Sequence, residues 1–189
     1  PKVFNAFDAA LRRDLLKTVR DLEADTAVRV VTIRGSGPGF CAGADLAEGF
    51  PDPISAQIEG EYKPFLMAIA ESRKIYIAQV HGTAAGIGAA LAMSCDLMTM
   101  AANASIYMAF AAVALVPDGG NTWFLLRAMG QARAMAAILE GARIPAAECL
   151  AHGIANRLFV GDQLDIETAK WAASLAAGAP LAMTAAKRL

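Results

Sequence analysis

At 189 residues, with 56% hydrophobic and 19% charged side chains, the chain is one domain's length, can bury a sizeable core and is too apolar for disorder. A formal net charge of −1, with no run of lysine or arginine, argues against nucleic acid as the main partner. Cys41, Cys95 and Cys149 are odd in number, widely spaced and without a CxxC pair; this argues against a disulfide framework or zinc site and fits a reducing cytosol.

In chain order, Asp8 is placed to cap a helix over Ala9–Asp25, with Leu11, Leu15, Leu16, Val19 and Leu22 on one face. Val28–Arg34 is expected as a buried strand, followed by the loop Gly35–Gly39. Gly49–Gly60 has two prolines and little periodicity and is expected as a surface loop. Tyr62–Glu71 is expected as a helix, Ile75–Val80 as a strand, Gly86–Met93 as a helix and Leu97–Ala101 as a third strand. Helices are then expected over Thr122–Met129, Ala132–Leu139 and Ala146–Ala151, a strand over Ala155–Val160, and alanine-rich helices over Leu164–Ala177 and Leu181–Leu189. Strands alternating with helices predict an α/β layered domain with mostly parallel strands, residues 1–189 forming one unit with a helical subregion over 142–189. The unusual apolar content is read as extra buried surface at a subunit interface.

Ile75–Cys95 and Leu97–Pro117 are uncharged and each long enough to cross a bilayer. Only Asp96 separates them, which leaves no loop between antiparallel spans, so both are expected as core and no membrane partner is predicted. No signal peptide is recognised, and because the chain opens on Pro1 its ends are not taken as natural.

Two glycine-bearing turns follow strands: Phe40-Cys41-Ala42-Gly43-Ala44-Asp45-Leu46 and His81-Gly82-Thr83-Ala84-Ala85-Gly86-Ile87-Gly88. Each can aim a backbone N–H at one point, and two convergent donors make an oxyanion hole, although each alone is equally an ordinary turn. Asp118, in Val116-Pro117-Asp118-Gly119-Gly120, is either another turn residue or a base. Its apolar surroundings, from Phe110, Val113 and Leu115 to Trp123 and Phe124, favour the base by raising its pKa. Cys41 is expected as a small buried thiol and His81 as a structural histidine; Asp45 and Asp96 are expected to satisfy backbone donors. No nucleotide-binding glycine motif is present, and the two histidines are too few for a histidine-based metal site.

The turn Phe40–Leu46, the segment Val80–Gly88 and Cys95-Asp96-Leu97 together resemble the crotonase (enoyl-CoA hydratase/isomerase) superfamily, over nearly the whole chain. The resemblance implies a fold of repeated ββα units with a helical C-terminal region, assembled as a homotrimer or dimer of trimers. It also implies a cytoplasmic enzyme that binds acyl-CoA and stabilises an enolate with two backbone N–H groups, here those of Ala44 and Ile87. Ala42, Gly43, Asp45 and Leu46 would line the CoA and acyl site, with Gly86, Phe110 and Trp123 beside the substrate. Neither metal nor cofactor is implied beyond the coenzyme A carried by the thioester.

Hydratases of this family carry two glutamates, and the matching positions here are Ala90 and Phe110. Hydration is therefore not expected. Tyr107–Phe110, Leu115–Trp123 and Arg127–Met135 are instead similar to the branch that isomerises ring-epoxidised phenylacetyl-CoA, in which an aspartate of the Pro-Asp turn is the acid/base; this role falls on Asp118. Asn121 and Ala114 stand where relatives usually have glycine. The chain also looks short of an opening strand and of closing helices by comparison with the family. The expectation is an acyl-CoA isomerase. Hydrolysis of an acyl-CoA or β-diketone, hydration, and a non-catalytic CoA-ester-binding scaffold are the alternatives.

Overall fold

The computed structural model describes residues 3–49, 51 and 53–189. Pro1 and Lys2 of the family-like opening, and Phe50 and Asp52 of the expected loop, lie outside the described residues.

Helix α1 is Ala9–Ala24, and the Asp8 carboxylate caps it by accepting from the Leu11 N–H at 2.7 Å. Strand β1 is Val30–Arg34. A 3-10 turn over Leu46–Glu48 leads to the short helix α2 (Ile54–Gln57), a π-turn over Ile58–Tyr62 and helix α3 (Lys63–Ala70). Strands β2 (Ile75–Val80) and β3 (Thr83–Ala85) then run into helix α4 (Ile87–Ser94), one ββα unit. Strands β4 (Leu97–Ala101) and β5 (Ser105–Tyr107) repeat the pair, followed by a 3-10 turn over Ala109–Val113. Helices α5 (Asn121–Met129) and α6 (Gln131–Leu139), strand β6 (Arg143–Pro145), helix α7 (Ala146–Ala151), strand β7 (Arg157–Phe159) and helices α8 (Gln163–Ala176) and α9 (Pro180–Lys187) complete the chain.

The main sheet has the order β1-β2-β4-β7, all parallel, with Val30 opposite Ile75 and Ile77 opposite Leu97. Every residue of β2 is buried, as a central parallel strand covered on both faces requires. A second sheet, β3-β5-β6, pairs β3 with β5 in parallel and β5 with β6 antiparallel. Each ββ pair therefore leaves one sheet and enters the other across a tight turn. The core, shared by the sheets with α1 and α3, holds Val19, Phe65, Ile69, Tyr76, Met98 and Ile106.

The two long uncharged stretches fold as strands, turns and α4; no helix among the described residues is long and apolar enough to cross a membrane. The expected loop Gly49–Gly60 is corrected, because Ile54–Tyr62 is helical and turns Ile54 and Ile58 inward over a cavity. The C-terminal region is mainly helical, as expected, but gives a strand to each sheet through β6 and β7. In α1 the inner face is not leucine alone: Arg12 is buried while Leu11 is exposed.

Candidate active site

The first turn is assembled by pairing on both sides. Cys41 pairs with β3, donating to Thr83 O at 3.2 Å and accepting from the Ala85 N–H at 2.9 Å. Phe7 pairs across Ala44, donating to Gly43 O at 2.8 Å and accepting from the Asp45 N–H at 3.1 Å. These bonds consume the backbone groups on either side of Ala44 and leave its own N–H without an acceptor among the described residues.

The second turn ends β3. Gly86 has φ 52° and ψ −122°, a conformation open essentially to glycine, and its N–H donates to Tyr107 O at 3.0 Å. The next N–H, of Ile87, is the first of α4 and has no acceptor within the helix, so it projects with the positive end of the helix dipole. The two turns abut, since a Cβ placed on Gly43 would stand 3.8 Å from Ile87 N.

Both turns line a cavity of about 220 Å³. Ala42, Gly43, Ala44 and Leu46 come from the first turn and Gly86 and Ile87 from the second. Its apolar wall includes Ile54 and Ile58 on one side and Phe110, Val113 and Leu115 on the other. The polar side chains are Asp118, Tyr62 and Gln57.

Asp118 Oδ1 is buried and has no hydrogen-bond partner among the described residues. Burial pushes its carboxyl up to about 6, opposed only by a hydrogen bond from its own backbone. Gly119, the next residue, lies so close to α4 that a Cβ there would come within 2.6 Å of the Ala90 Cβ and the Ile87 Cδ1. Tyr62 is buried beside Phe7 and Phe65. Its phenol is raised by burial, with a smaller contribution in the same direction from Asp118. The buried Arg12 guanidinium lies 3.4 Å from the Tyr62 hydroxyl, donates to Phe7 O at 2.8 Å, and pairs with Glu48 and Glu61. Arg12 thus braces the Phe7 strand that presents Ala44.

The structure brings Ala42, Gly43, Ala44, Leu46, Gly86, Ile87, Phe110 and Asp118 to one cavity. It does not bring Trp123 or Asp45 there. Trp123 is corrected: it is 56% exposed on α5, with Arg127 4.6 Å over its ring. Asp45 instead accepts from the Ala47 N–H at 2.9 Å and caps the 3-10 turn. The Cys41 thiol is buried, pushed up to about 11 and hydrogen-bonded to Asn5 O, which leaves no thiolate for attack. Asp96 accepts from the Tyr76 N–H and pairs with Lys187. A larger, open and polar groove of about 790 Å³ lies at the carboxyl ends of β1, β2, β4 and β7. It shares no lining residue with the apolar cavity, and Arg34 and Gln79 within it both engage Asp165.

Tyr62, Arg12 and Asn121 were not legible as site residues. Arg12 and Asn121 act through partners far along the chain, Glu48, Glu61 and Gly86 O, and no period marks Tyr62 or Arg12 as facing the site.

The model of the enoyl-CoA hydratase/isomerase family matches residues 1–189, and the chain belongs to this family, within the crotonase superfamily. It is 34% identical over 190 residues to a probable enoyl-CoA hydratase of Rhodobacter capsulatus, covering 100% of this chain and 73% of the relative. It is also 34% identical to the 1,2-epoxyphenylacetyl-CoA isomerase of Escherichia coli, over 90% of this chain and 67% of that one. A crystal structure of an enoyl-CoA hydratase from Mycobacterium avium subsp. paratuberculosis superposes with a TM-score of 0.91 at 33% identity, over 99% of this chain and 75% of that chain.

Proposed function

We propose that the protein is an acyl-CoA isomerase using Asp118 as its one acid/base. The observation that carries this reading is a lone buried carboxyl, raised to about 6, in an apolar cavity shared with the unengaged N–H groups of Ala44 and Ile87.

The thioester oxygen accepts from Ala44 and Ile87. Asp118 takes a proton from the acyl chain, and the electron pair moves onto the thioester oxygen as an enolate. The same carboxyl then returns the proton elsewhere along the conjugated system, so the product has the substrate's mass. A carboxyl near 6 is mostly ionised at neutral pH yet basic enough to take a proton and weak enough to give it back. The two N–H donors supply the larger effect: one oxyanion donor is worth about 3 kcal/mol, roughly a hundredfold or more in rate.

Hydration is disfavoured by what occupies the two glutamate positions. Ala90 is fully buried beneath Gly119, with no room for a carboxylate, and Phe110 presents a ring to the cavity. A cavity of about 220 Å³ suits a ring or short chain, since an engineered pocket of about 150 Å³ already takes benzene. Ala42 and Ala109 also line an adjoining groove with Tyr107 and Arg143, which supports an extended substrate such as a CoA thioester.

Hydratase names among the relatives favour a second reading, hydration of the 2-enoyl ester. Incubation with 3-enoyl-CoA and 2-enoyl-CoA, followed by absorbance of the conjugated thioester and by product mass, separates the two. Isomerisation gives conjugation without mass change; a gain of one water overturns the proposal.

A further inference from the structure

Asn121 opens α5, fully buried, and its side chain reaches two parts of the site at once. Its Nδ2 donates to Gly86 O at 3.1 Å and to Asp118 O at 2.9 Å, and its backbone N–H also donates to Asp118 O at 3.0 Å. Gly86 O and the Ile87 N–H are the two ends of one peptide unit. A carbonyl that accepts a hydrogen bond strengthens the N–H of its own amide as a donor and holds the plane in which that N–H points. Gly86 O also accepts from Ala89 and Ala90, so α4, the oxyanion peptide and the Asp118 turn meet at this one oxygen. Among the described residues no other side chain donates to either carbonyl.

We propose that Asn121 is a positioning residue, a strut that fixes the oxyanion peptide Gly86–Ile87 relative to the carboxylate of Asp118. This rests on the reading of the site as an isomerase. The donor and the base act on the two ends of one enolate, so their separation must be held. A misplacement of about 1 Å can cost about a hundredfold in rate. A residue that only filled space at the start of α5 would need no donor on its side chain.

The test compares wild type with Asn121→Gly, which removes the strut, and Asn121→Asp, which keeps its size but removes both Nδ2 donations. Melting curves establish that each variant is folded. With 3-enoyl-CoA, kcat is expected to fall about ten- to a hundredfold while KM changes little, since bound thioester is retained but misaligned. In Asn121→Gly, which adds no charge, the carboxyl of Asp118, followed by carbon NMR and assigned with Asp118→Asn, is expected to titrate lower once its turn is released towards water. The titratable groups around it are Tyr62, on the π-turn, with Arg12, Glu48 and Glu61 behind it. Folded variants that keep the wild-type kcat, with Asn121→Gly also keeping the wild-type Asp118 titration, overturn the strut. If the carboxyl titration shifts while wild type itself isomerises nothing, the strut stands and the reading of the reaction fails.

Discussion

Replacing Asp118 by asparagine should stabilise the protein, and by an amount that depends on pH. The carboxyl is raised from 3.8 to about 6 because burial penalises its charged form. The fold therefore favours its protonated form over its ionised form relative to the unfolded chain. The sign follows: stability from this group is fully present below about 3.8 and is lost as pH rises through about 6. A shift of roughly two pK units at about 1.4 kcal/mol each sets a ceiling near 3 kcal/mol. Contact of this half-buried residue with solvent lowers that, and about 1–2 kcal/mol is expected. A carboxamide has no charge to bury, so Asp118→Asn should match wild type near about pH 4 and exceed it by about 1–2 kcal/mol near about pH 7.5. Urea unfolding of both proteins across that range measures the difference. A gap that is constant with pH, or that closes as pH rises, would refute burial as the cause of the shifted carboxyl.

Two further substitutions probe the scaffold. Lys187 is 6% exposed and ties α9 to the sheet by donating to Ile69 O, Lys74 O and Asp96 Oδ2. Lys187→Met strands the partly buried Asp96 carboxylate and should cost about 3 kcal/mol in chemical denaturation, where a loss under about 1 kcal/mol would mean that the pair is not desolvated. Ala114 adopts φ 56° and ψ 33° at the end of the 3-10 turn before Asp118. Ala114→Gly should relieve that left-handed strain and stabilise by about 0.5–1 kcal/mol while leaving the Asp118 titration unchanged, as unfolding curves and carboxyl NMR would register.

The legible parts of the fold were those whose signal is local. The strand over Ile75–Val80 is bounded as its continuous apolar run implied, and Asp8 caps α1 as its position implied. The strands β3, β5 and β6 were missed because each is a three-residue run, too short for a period, and is defined by pairing with distant segments. Within the site, the glycine turns and the apolar context of Asp118 were readable. Trp123 was misplaced by nearness in sequence: it lies two positions after Asn121, about 200° around α5, so burying Asn121 turns Trp123 outward. Arg12 was hidden because the leucine periodicity of α1 says nothing about a buried cation whose partners, Glu48 and Glu61, lie far along the chain. Asn121 was noted only as a departure from glycine, and its value depends on Gly86 O, 35 residues away.

The most direct measurement is turnover of 3-enoyl-CoA by wild type and by Asp118→Asn, with binding of the CoA ester measured in parallel. An isomerase working through Asp118 gives a conjugated product of unchanged mass with wild type. The variant should bind the ester with similar affinity and lose turnover by about a hundredfold or more. Equal turnover by the two proteins, or a product heavier by one water, would contradict a single-carboxylate isomerase.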